Sequence, residues 1–482
     1  MTTCVLLSLL LAAQTDTAVI NRYVLAELER QRIPGLSLVV LAGDRVLISR
    51  GYGFANVELR VPATDSTVYQ SGSMGKQFTA ALVEMLVDNH LLRLDDSIVR
   101  WFPEGAHVWQ GITVRHLLTH TAGVAEYTDS TFDYRKDYTE DELVKFAASR
   151  PLDFRPGERW SYSNTGYVLL GALIHRVTGR FYGDLLRDSV FRPLGMNDSR
   201  VISEADIVPN RAAGYRLEGG VLKNQEWVAP SLNTTADGAL YFTVRDLTRW
   251  AIALNHRRVP SPAALDTAWT PVRLNDGATY PYGFGWGVFN QRGALRISHG
   301  GSWQGFKTVI ARYPESGLTV IVLANLAQAQ VSAVAFGIAG MLDTALAAPH
   351  LVTWRSPQPP MPVAALLHAI ATRPDSAPIT PRFRRFLTPD LQSYYGGVTA
   401  GDRQWIFAGC DAVGRRRISY LGTPIAYICH ARAGRPGGRG GGTLVSVLYS
   451  ADWRAAGVEG YGYWTTLPRR RRAGWRAASS PA

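Results

Sequence analysis

The sequence predicts an α/β fold of the α+β type, in which helices flank an antiparallel β-sheet and an α-rich subdomain is inserted. Strand patterns occur early, over residues 35–49, and return at residues 283–323. Between them, residues of about 90 to 250 have the pattern of helices and long loops. A sheet that draws on both ends of the chain, with helices packed on it, is the simplest architecture that buries these apolar runs.

The first elements alternate between helix and strand signals. Apolar residues at helical spacing predict a helix over residues 15–32. The apolar runs 35–42 and 45–49 surround a Gly-Asp turn and predict a β-hairpin. A short strand ends near Gln70, and from Phe78 onward the apolar residues recur three and four positions apart, which predicts a helix.

The second group of strands follows the helical insert. Strand patterns cover residues 283–289 and 295–299, and a hairpin joins residues 308–313 to residues 318–323 through a Pro-Glu-Ser-Gly turn. A helix is predicted over residues 330–347. These strands must pair with the N-terminal hairpin to complete one sheet.

The chain divides into four segments. Residues 1–14 contain a short apolar run that ends in small residues, which predicts a signal peptide and export to the periplasm or beyond; a hydrophobic N-terminal helix is the alternative. Residues 15–348 form the domain that contains the strands and helices predicted above. Residues 349–388 are rich in Pro and Ala and predict a linker. Residues 389–482 are rich in Arg and Gly, and a small β-domain or a partly disordered tail would fit them.

The charge distribution limits the possible partners. The chain has a net charge of +12, but residues 391–482 contain thirteen arginines against four acidic residues, a net +9, which leaves +3 for residues 1–390. A basic tail is usually solvated, so a nucleic-acid partner is not expected. No second segment approaches the roughly 20 apolar residues of a membrane span. The oligomeric state stays open.

The three cysteines do not indicate a metal or a cofactor. Cys410 and Cys429 could pair, and Cys4 lies in the N-terminal apolar run. The sequence has neither Cys-x-x-Cys nor a Cys/His zinc spacing. His116 and His120 have metal-pair spacing, but no glutamate lies at the HExxH position and no third ligand is evident, so a structural role is predicted.

The most informative motif is Ser73-x-x-Lys76. Only five of the 51 basic residues are lysines, and Lys76 is the only one with a serine three positions earlier. Ser73 falls at a strand-to-helix junction, where residues three apart share a face. A desolvated lysine can lose its proton, which an arginine cannot, so Lys76 could activate the Ser73 hydroxyl as a nucleophile. The alternative is an N-cap serine followed by a surface lysine.

Two other clusters supply polar groups. Tyr162 could relay a proton if a cation stabilised its phenolate, and the Asn164 amide could hold a substrate carbonyl or Lys76; a polar helix-capping loop is the alternative. In the third cluster, His299 could bind a carboxylate when charged or assist proton transfer when neutral. Gly301 permits close approach of a backbone, and the N–H of Ser302 could pair with that of Ser73 as an oxyanion hole.

The aromatic residues near the third cluster are predicted to pack the sheet. Trp303 is close enough in sequence to line a pocket. The other three lie at the start of the second group of strands, and they are Tyr282, Phe284 and Trp286.

In the order Ser73-x-x-Lys76, Tyr162-x-Asn164, His299-x-Gly301, the three clusters resemble those of the serine β-lactamase-related family. That family comprises class C β-lactamases, DD-peptidases, D-aminopeptidases and related esterases. The resemblance covers about residues 18–347. Four more segments are similar to the family, and they are 94–97, 114–123, 193–196 and 282–286.

The resemblance implies a β-lactamase/transpeptidase-like fold, with the site in a cleft between an α/β sheet domain and an α subdomain. It implies that Ser73 is acylated, that Lys76 and Tyr162 form the base system, and that Asn164 and His299 are site residues. The implied function is hydrolysis of an ester or amide bond, without a cofactor, on a small-molecule or peptide substrate of the D-amino-acid or peptidoglycan type.

Two departures from the family pattern affect this function. His299-Gly300-Gly301 stands where Lys-Thr-Gly is frequent, which favours an esterase or peptidase over a β-lactamase or DD-carboxypeptidase. Asp237 begins a segment where relatives often have Gly-Gly-Leu, so a loop near the site could differ. A non-catalytic binding protein that retains the fold is the alternative from another class.

Overall fold

A computed structural model describes residues 2–128, 132–291, 294–343, 345–347 and 359–385 of the 482-residue chain, and residues 387–464 with gaps. In this part of the chain the helices are α1 (Thr2–Gln31), α2 (Lys76–Asp88), α3 (Val114–Leu118), α4 (Glu140–Ala148), α5 (Asn164–Thr178), α6 (Tyr182–Leu186), α7 (Val244–Asn255), α8 (Pro262–Ala268), α9 (Val331–Leu342), α10 (Val363–Thr372) and α11 (Pro381–Arg385).

The strands of the same residues number twenty. The ten up to residue 280 are β1 (Gly35–Ala42), β2 (Arg45–Asn56), β3 (Val61–Pro62), β4 (Tyr69–Gln70), β5 (Arg200–Val201), β6 (Tyr215–Glu218), β7 (Val221–Asn224), β8 (Leu240–Phe242), β9 (Val272–Arg273) and β10 (Thr279–Tyr280). The other ten are β11 (Gly287–Gln291), β12 (Ala294–Trp303), β13 (Phe306–Tyr313), β14 (Leu318–Ala324), β15 (Gln404–Ala412), β16 (Ser419–Tyr420), β17 (Thr423–Pro424), β18 (Tyr427–Gly434), β19 (Gly442–Tyr449) and β20 (Ala455–Trp464).

The principal sheet joins strands from both ends of the segment 35–324. Its strand order in the described residues is β11-β12-β13-β14-β1-β2-β3, and neighbouring strands run antiparallel. Strand β1 pairs with β14 in the register Leu38↔Val322, so residues almost 300 apart in sequence meet at the sheet centre. The predicted fold class, with a sheet assembled from both ends and a helical insert between them, is confirmed.

The sheet is covered on both faces. Successive side chains of a strand point to opposite faces. Accordingly, Leu38 and Val40 pack with α1 and α9, whereas Val39 and Leu41 belong to the larger core shared with the helical insert. Because both faces are buried, β1 is apolar at nearly every position instead of alternating with polar residues.

The helical insert contributes most of the larger core. Phe78 on α2 lies near its centre, 4.7 Å from the Phe242 ring and 4.5 Å from the Trp250 ring, measured between ring centroids. All three side chains are almost completely buried. Helix α2 therefore sits in the middle of the molecule, and the residue at its N-terminus lies between the sheet and the helical insert.

The segment predicted as a linker contains ordered structure. Helix α10 lies within it, and Leu366, Leu367 and Ile370 are fully buried. They pack in a core that also includes residues of the C-terminal sheet β15-β18-β19-β20. The run 443–449 belongs to β19, which is an inner strand of that sheet.

The C-terminal sheet also carries a disulfide. Cys410 and Cys429 are directly opposite each other on β15 and β18 and are bonded. The glycine-rich run 435–441 and the four arginines at 469–472 lie outside the described residues. Within the described chain, no helix is both long enough and apolar enough to cross a membrane.

Candidate active site

The turn that carries Ser73 lies at the predicted strand-to-helix junction. Strand β4 ends at Gln70, a 3-10 turn covers Gly72–Gly75, and α2 begins at Lys76. Ser73 is therefore in the turn that leads into a helix N-terminus, where backbone N–H groups lack intrahelical partners. The sequence places Ser73 and Lys76 one turn apart, and the structure brings their side chains together.

Hydrogen bonds from three directions hold this turn. Thr308 on β13 donates its hydroxyl to the carbonyl of Ser71 at 2.6 Å. The Ser71 hydroxyl donates to the carbonyl of Gly238 at 2.8 Å. The Gln77 amide donates to the carbonyl of Met74 at 2.9 Å. All of these side chains are buried, so the backbone around Ser73 is fixed before any substrate binds.

Gly301 allows the sheet to approach the turn. A Cβ atom added to Gly301 would lie 1.9 Å from the carbonyl oxygen of Ser71 and 2.4 Å from the hydroxyl oxygen of Thr308. No side chain fits in this space. The requirement predicted for a glycine at this position therefore has a definite cause: strand β12 lies directly against the Ser73 turn.

We expect Gly301→Ala to lower the acylation rate of Ser73 by about 10²-fold, because displacement of reacting groups by 1 Å has that effect. Gly300→Ala is the matched control: its Cβ would meet its nearest neighbour, the Thr308 carbonyl oxygen, at 3.4 Å. That variant should retain the rate within a few-fold. Stopped-flow acylation by a chromogenic ester measures both rates. Equal effects of the two substitutions would contradict the packing argument.

Lys76 is fully buried and its ammonium nitrogen has three oxygen neighbours. Nζ lies 3.1 Å from Ser73 Oγ, 2.7 Å from Asn164 Oδ1 and 2.6 Å from the carbonyl oxygen of Asp237. Asn164 thus meets Lys76 as one of the sequence-based alternatives expects. The contact with its backbone carbonyl makes Asp237 part of the site. The sequence alone indicates only that the loop beginning at Asp237 could differ from that of relatives.

Tyr162 faces Lys76 with its ring. Lys76 Nζ lies 4.9 Å from the centroid of the Tyr162 ring. The Tyr162 hydroxyl is buried and, within the described residues, has no hydrogen-bond partner. The cation therefore lies over the aromatic face and not beside the phenolic oxygen, so the geometry differs from the predicted stabilisation of a phenolate by a nearby cation.

Asn164 is held by the loop before it. It is the first residue of α5, and the Ser163 side chain caps that helix by accepting the N–H of Gly166. The N–H of Asn164 donates to Glu126 Oε2 at 2.6 Å. Burial raises the pKa of the Glu126 carboxyl, while the Asn164 N–H and the Lys76 charge oppose this rise.

The Asp237 side chain supplies a second carboxylate, close enough to Glu126 to raise its pKa. Asp237 Oδ2 accepts a hydrogen bond from the hydroxyl of Tyr127 at 2.9 Å. The charges of Asp237 and Glu126 are close enough for each to affect the electrostatics of Tyr127, whose pKa burial raises well above its usual value. The sequence motifs do not indicate Glu126 or Tyr127; both follow the family-like segment 114–123, which is the one signal that could have located them.

His299 is neutral, which corrects one of its predicted roles. Burial, with a contribution from the Lys76 charge, lowers its pKa from 6.5 to about 4. Its Nδ1–H donates to the carbonyl of Gly300 at 2.7 Å, so Nε2 carries the lone pair and accepts the hydroxyl proton of Tyr282 at 2.9 Å. Both nitrogens are occupied, and the interpretation of His299 as a cation that binds a substrate carboxylate is wrong.

The lowered pKa predicts a pH-dependent stability. Between pH 6.5 and 4 the unfolded chain binds a proton at His299 more readily than the folded chain does, so the free energy of unfolding falls as the pH is lowered. This contribution is complete above pH 6.5 and is lost, by about 3 kcal/mol, once the pH reaches 4. Urea unfolding at pH 7 and pH 4.5 should show a smaller decrease in His299→Gln than in wild type.

His107→Gln provides the control for this measurement, because His107 is an exposed histidine away from these contacts. It should leave the pH dependence of stability as in wild type. If the pH dependence of the free energy of unfolding were also unchanged in His299→Gln, titration of His299 would not be its cause.

Strand β12 brings the Ser302 backbone next to the Ser73 turn. A Cβ on Gly72 would lie 2.4 Å from the backbone nitrogen of Ser302, so the chain of Ser302 passes directly beside the residue that precedes Ser73. The Ser302 residue itself is exposed. The Ser302 backbone nitrogen thus lies beside Gly72, one residue before Ser73, and its pairing with the Ser73 N–H in an oxyanion hole stays a prediction.

Three further residues considered in the sequence, His116, Trp303 and Tyr282, have different surroundings in the structure. His116 caps α3 in a capping box with Thr113. Trp303 donates its ring N–H to Asn233 Oδ1 at 2.8 Å and is half-buried. Tyr282 is buried as expected for a packing residue, but its bond to His299 also makes it part of the site, which the motifs do not indicate.

The fold and this site define a serine hydrolase of the β-lactamase-related class. Residues 20–337 match the family described as beta-lactamase, which is well over half of the chain, and the chain belongs to that family. Its curated relatives include the penicillin-binding protein 4* of Bacillus subtilis (strain 168), which is 32% identical over 62% of this chain and 69% of the relative. The D-aminopeptidase of Gluconobacter oxydans (strain 621H) is 28% identical over 74% of this chain and 68% of the relative.

A solved structure extends the fold similarity to the C-terminal region. The octameric penicillin-binding protein homologue from Pyrococcus abyssi superposes with a TM-score of 0.62, at 24% identity, over 91% of this chain and 97% of that chain. At this identity the likeness concerns the fold alone. It supports the serine β-lactamase-related fold over most of the chain.

Proposed function

We propose that the chain cleaves an ester or amide bond through an acyl-enzyme formed on Ser73, with a substrate of the D-amino-acid or peptidoglycan type. The observation that carries this proposal is the set of contacts at Lys76 Nζ. Two carbonyl oxygens, of Asn164 and Asp237, lie at 2.7 and 2.6 Å, and Ser73 Oγ lies at 3.1 Å. In the neutral amine the two carbonyls take both hydrogens, and the lone pair is directed at the Ser73 hydroxyl.

The reaction then follows from this geometry. The Ser73 oxygen bonds to the carbonyl carbon of the substrate, and its proton moves to Lys76 Nζ. The carbonyl oxygen becomes an oxyanion, which the N–H groups of Ser73 and Ser302 stabilise. When the tetrahedral species collapses, the bond to the alcohol or amine breaks and the leaving group takes a proton. Water adds to the acyl-enzyme in the same way and releases the acid.

We propose that Tyr162 serves the leaving group. Its buried hydroxyl has no partner in the described residues, and an unpaired buried hydroxyl is unfavourable by about 1–3 kcal/mol. A leaving-group oxygen or nitrogen that hydrogen-bonds this hydroxyl would remove that cost. Tyr162 would then donate its hydroxyl proton to the leaving group, and the proton that Lys76 took from Ser73 would replace it.

The charges of the site favour an esterase or peptidase over a β-lactamase or DD-carboxypeptidase. The latter two bind a substrate carboxylate, for which a cation beside the oxyanion site is useful. His299, at the corresponding position, is neutral, and the carboxylate of Asp237 lies beside the carbonyl that holds Lys76. The D-aminopeptidase among the relatives agrees with a substrate that has a D-residue on the acyl side.

A turnover screen tests the function. The panel comprises p-nitrophenyl esters, D- and L-amino-acid p-nitroanilides, D-alanyl-D-alanine peptides and a chromogenic cephalosporin. We expect turnover of esters or of D-amino-acid anilides. Faster turnover of the cephalosporin or of D-alanyl-D-alanine peptides would favour the carboxylate-binding alternative. No turnover, together with no labelling by a fluorophosphonate, would favour a non-catalytic binding protein.

We also propose that the chain is exported. The short apolar run ending near Ala13 supports this, as does the Cys410–Cys429 disulfide, because disulfides persist mainly in oxidising compartments. Cleavage near Ala13 would retain the part of α1 that contributes Ile20, Val24 and Leu28 to the core. N-terminal sequencing of the secreted protein tests this; a mature N-terminus at residue 1 would refute it.

A further inference from the structure

His120 touches the Tyr162-x-Asn164 segment on both sides of Tyr162. The N–H of Ser161 donates to the His120 carbonyl at 3.0 Å, and the N–H of Ser163 donates to His120 Nδ1 at 3.1 Å. One residue therefore holds the backbone immediately before and immediately after Tyr162. Ser163 in turn caps α5, whose first residue is Asn164.

The His120 backbone conformation makes this double contact possible. Its φ is +58°, in the left-handed region that few residues other than glycine adopt, although His and Asn are among those that do. The bend just after α3 turns both the carbonyl and the ring of His120 toward the same loop. A residue held in this region at the edge of a site is a reason to look for a functional constraint.

The His120 ring also supports the Tyr162 ring. Their centroids are 4.3 Å apart, and the Tyr282 ring lies 4.7 Å from His120 on another side. The side chain is almost completely buried. Since Nδ1 accepts the Ser163 N–H, the proton of the neutral imidazole is on Nε2, for which the described residues offer no partner. Burial, with the nearby charge of Lys76, lowers the His120 pKa well below 6.5.

We propose that His120 is a positioning residue for the proposed Ser73 hydrolase reaction: it fixes the Tyr162 hydroxyl relative to Lys76 through Nδ1, its carbonyl and its ring face. This inference rests on the proposed function and assigns a role to a histidine that the sequence indicates only as structural. His120 touches neither Ser73 nor a substrate position in these contacts, so it acts through Tyr162.

Two substitutions separate the acceptor of His120 from its ring. His120→Phe retains an aromatic ring but removes the acceptor of the Ser163 N–H. His120→Asn removes the ring, tolerates the left-handed backbone and retains an oxygen near the position of Nδ1. We expect the acylation rate by a fluorophosphonate to fall about 10²-fold in His120→Phe and only about tenfold or less in His120→Asn. Should His120→Phe not fold by circular dichroism, His120→Leu replaces it, with the same expectation.

The background variant Tyr162→Phe tests whether His120 acts through the Tyr162 hydroxyl. In the Tyr162→Phe background, we expect His120→Phe to lower the acylation rate by only about tenfold or less instead of about 10²-fold. The effects of substitutions at coupled residues are not additive. His116→Phe is the matched control: it removes a histidine that caps α3 four residues earlier. It should lower thermal stability slightly and leave the acylation rate unchanged.

The outcomes are distinct. Full additivity of the His120 and Tyr162 effects, or equal losses in His120→Phe and His120→Asn that follow thermal stability alone, would overturn the positioning role. A wild-type acylation rate in folded His120→Phe would overturn it as well. If wild-type protein itself is not labelled at Ser73, the proposed function fails, and this is seen before any His120 variant is made.

Discussion

Replacement of Ser73 by alanine is expected to lower turnover by about 10⁴-fold or more, because the variant has no nucleophile and only binding and oxyanion stabilisation remain. The substitution removes one hydroxyl oxygen at 3.1 Å from Lys76 Nζ. The carbonyls of Asn164 and Asp237 still hold the lysine, so the variant should fold and bind substrate. Loss of activity can then be attributed to the chemical step.

The measurement combines turnover with covalent labelling. Fluorophosphonate-treated wild type should gain one adduct on the peptide that contains Ser73, and Ser73→Ala should gain none. Ser149→Ala is the control: Ser149 is an exposed serine at the end of α4, and its loss should not change labelling. An adduct that persists in Ser73→Ala would show that another residue is the nucleophile.

Lys76→Arg is the second large expected effect. Arginine keeps the positive charge, but it cannot release a proton at accessible pH, so it cannot accept the proton of Ser73. Loss of a general base lowers rates by about 10²–10⁴-fold, and the larger guanidinium must also fit a fully buried site. We expect a decrease of about 10³-fold in the acylation rate.

The chain offers a matched control for this substitution. Lys145 is an exposed lysine in the last turn of α4, and Lys145→Arg should leave acylation unchanged. Acylation should be measured from pH 6 to pH 10 in wild type and in both variants. If Lys76→Arg retained the acylation rate and pH profile of wild type, Lys76 would act only as a positive charge and would not accept the Ser73 proton.

Much of the fold follows from local patterns in the sequence. Strand β1 is apolar throughout because both of its faces are buried, and that apolar run is evident in the amino-acid sequence alone. The helical spacing after Phe78 is equally local. By contrast, α10 was not predicted and the C-terminal sheet was only one of two alternatives, because the Pro- and Gly-rich composition around them resembles a linker and their core forms only when distant residues such as Leu366 and Val447 meet.

The sequence predicted which residues belong to the site better than it predicted how they are arranged. The contacts of Lys76 with Ser73 and Asn164 were predictable, because these residues lie in short motifs at the ends of predicted helices and strands. Glu126 and Asp237 were not assigned, since a carboxylate in a loop has no characteristic spacing. Their relation to Lys76 arises from contacts between segments more than 40 residues apart.

The sequence by itself determined the main strands and helices up to about residue 347, the Ser73-x-x-Lys76 pair and the family to which its motifs point. These depend on backbone periodicity and on side-chain chemistry, which are local properties. Only the tertiary structure decided that His299 is neutral, that the Tyr162 hydroxyl lacks a partner among the described residues while its ring faces Lys76, and that the Asp237 carbonyl completes the lysine contacts. Protonation and orientation depend on desolvation and on hydrogen-bond partners, and folding brings both from distant parts of the chain.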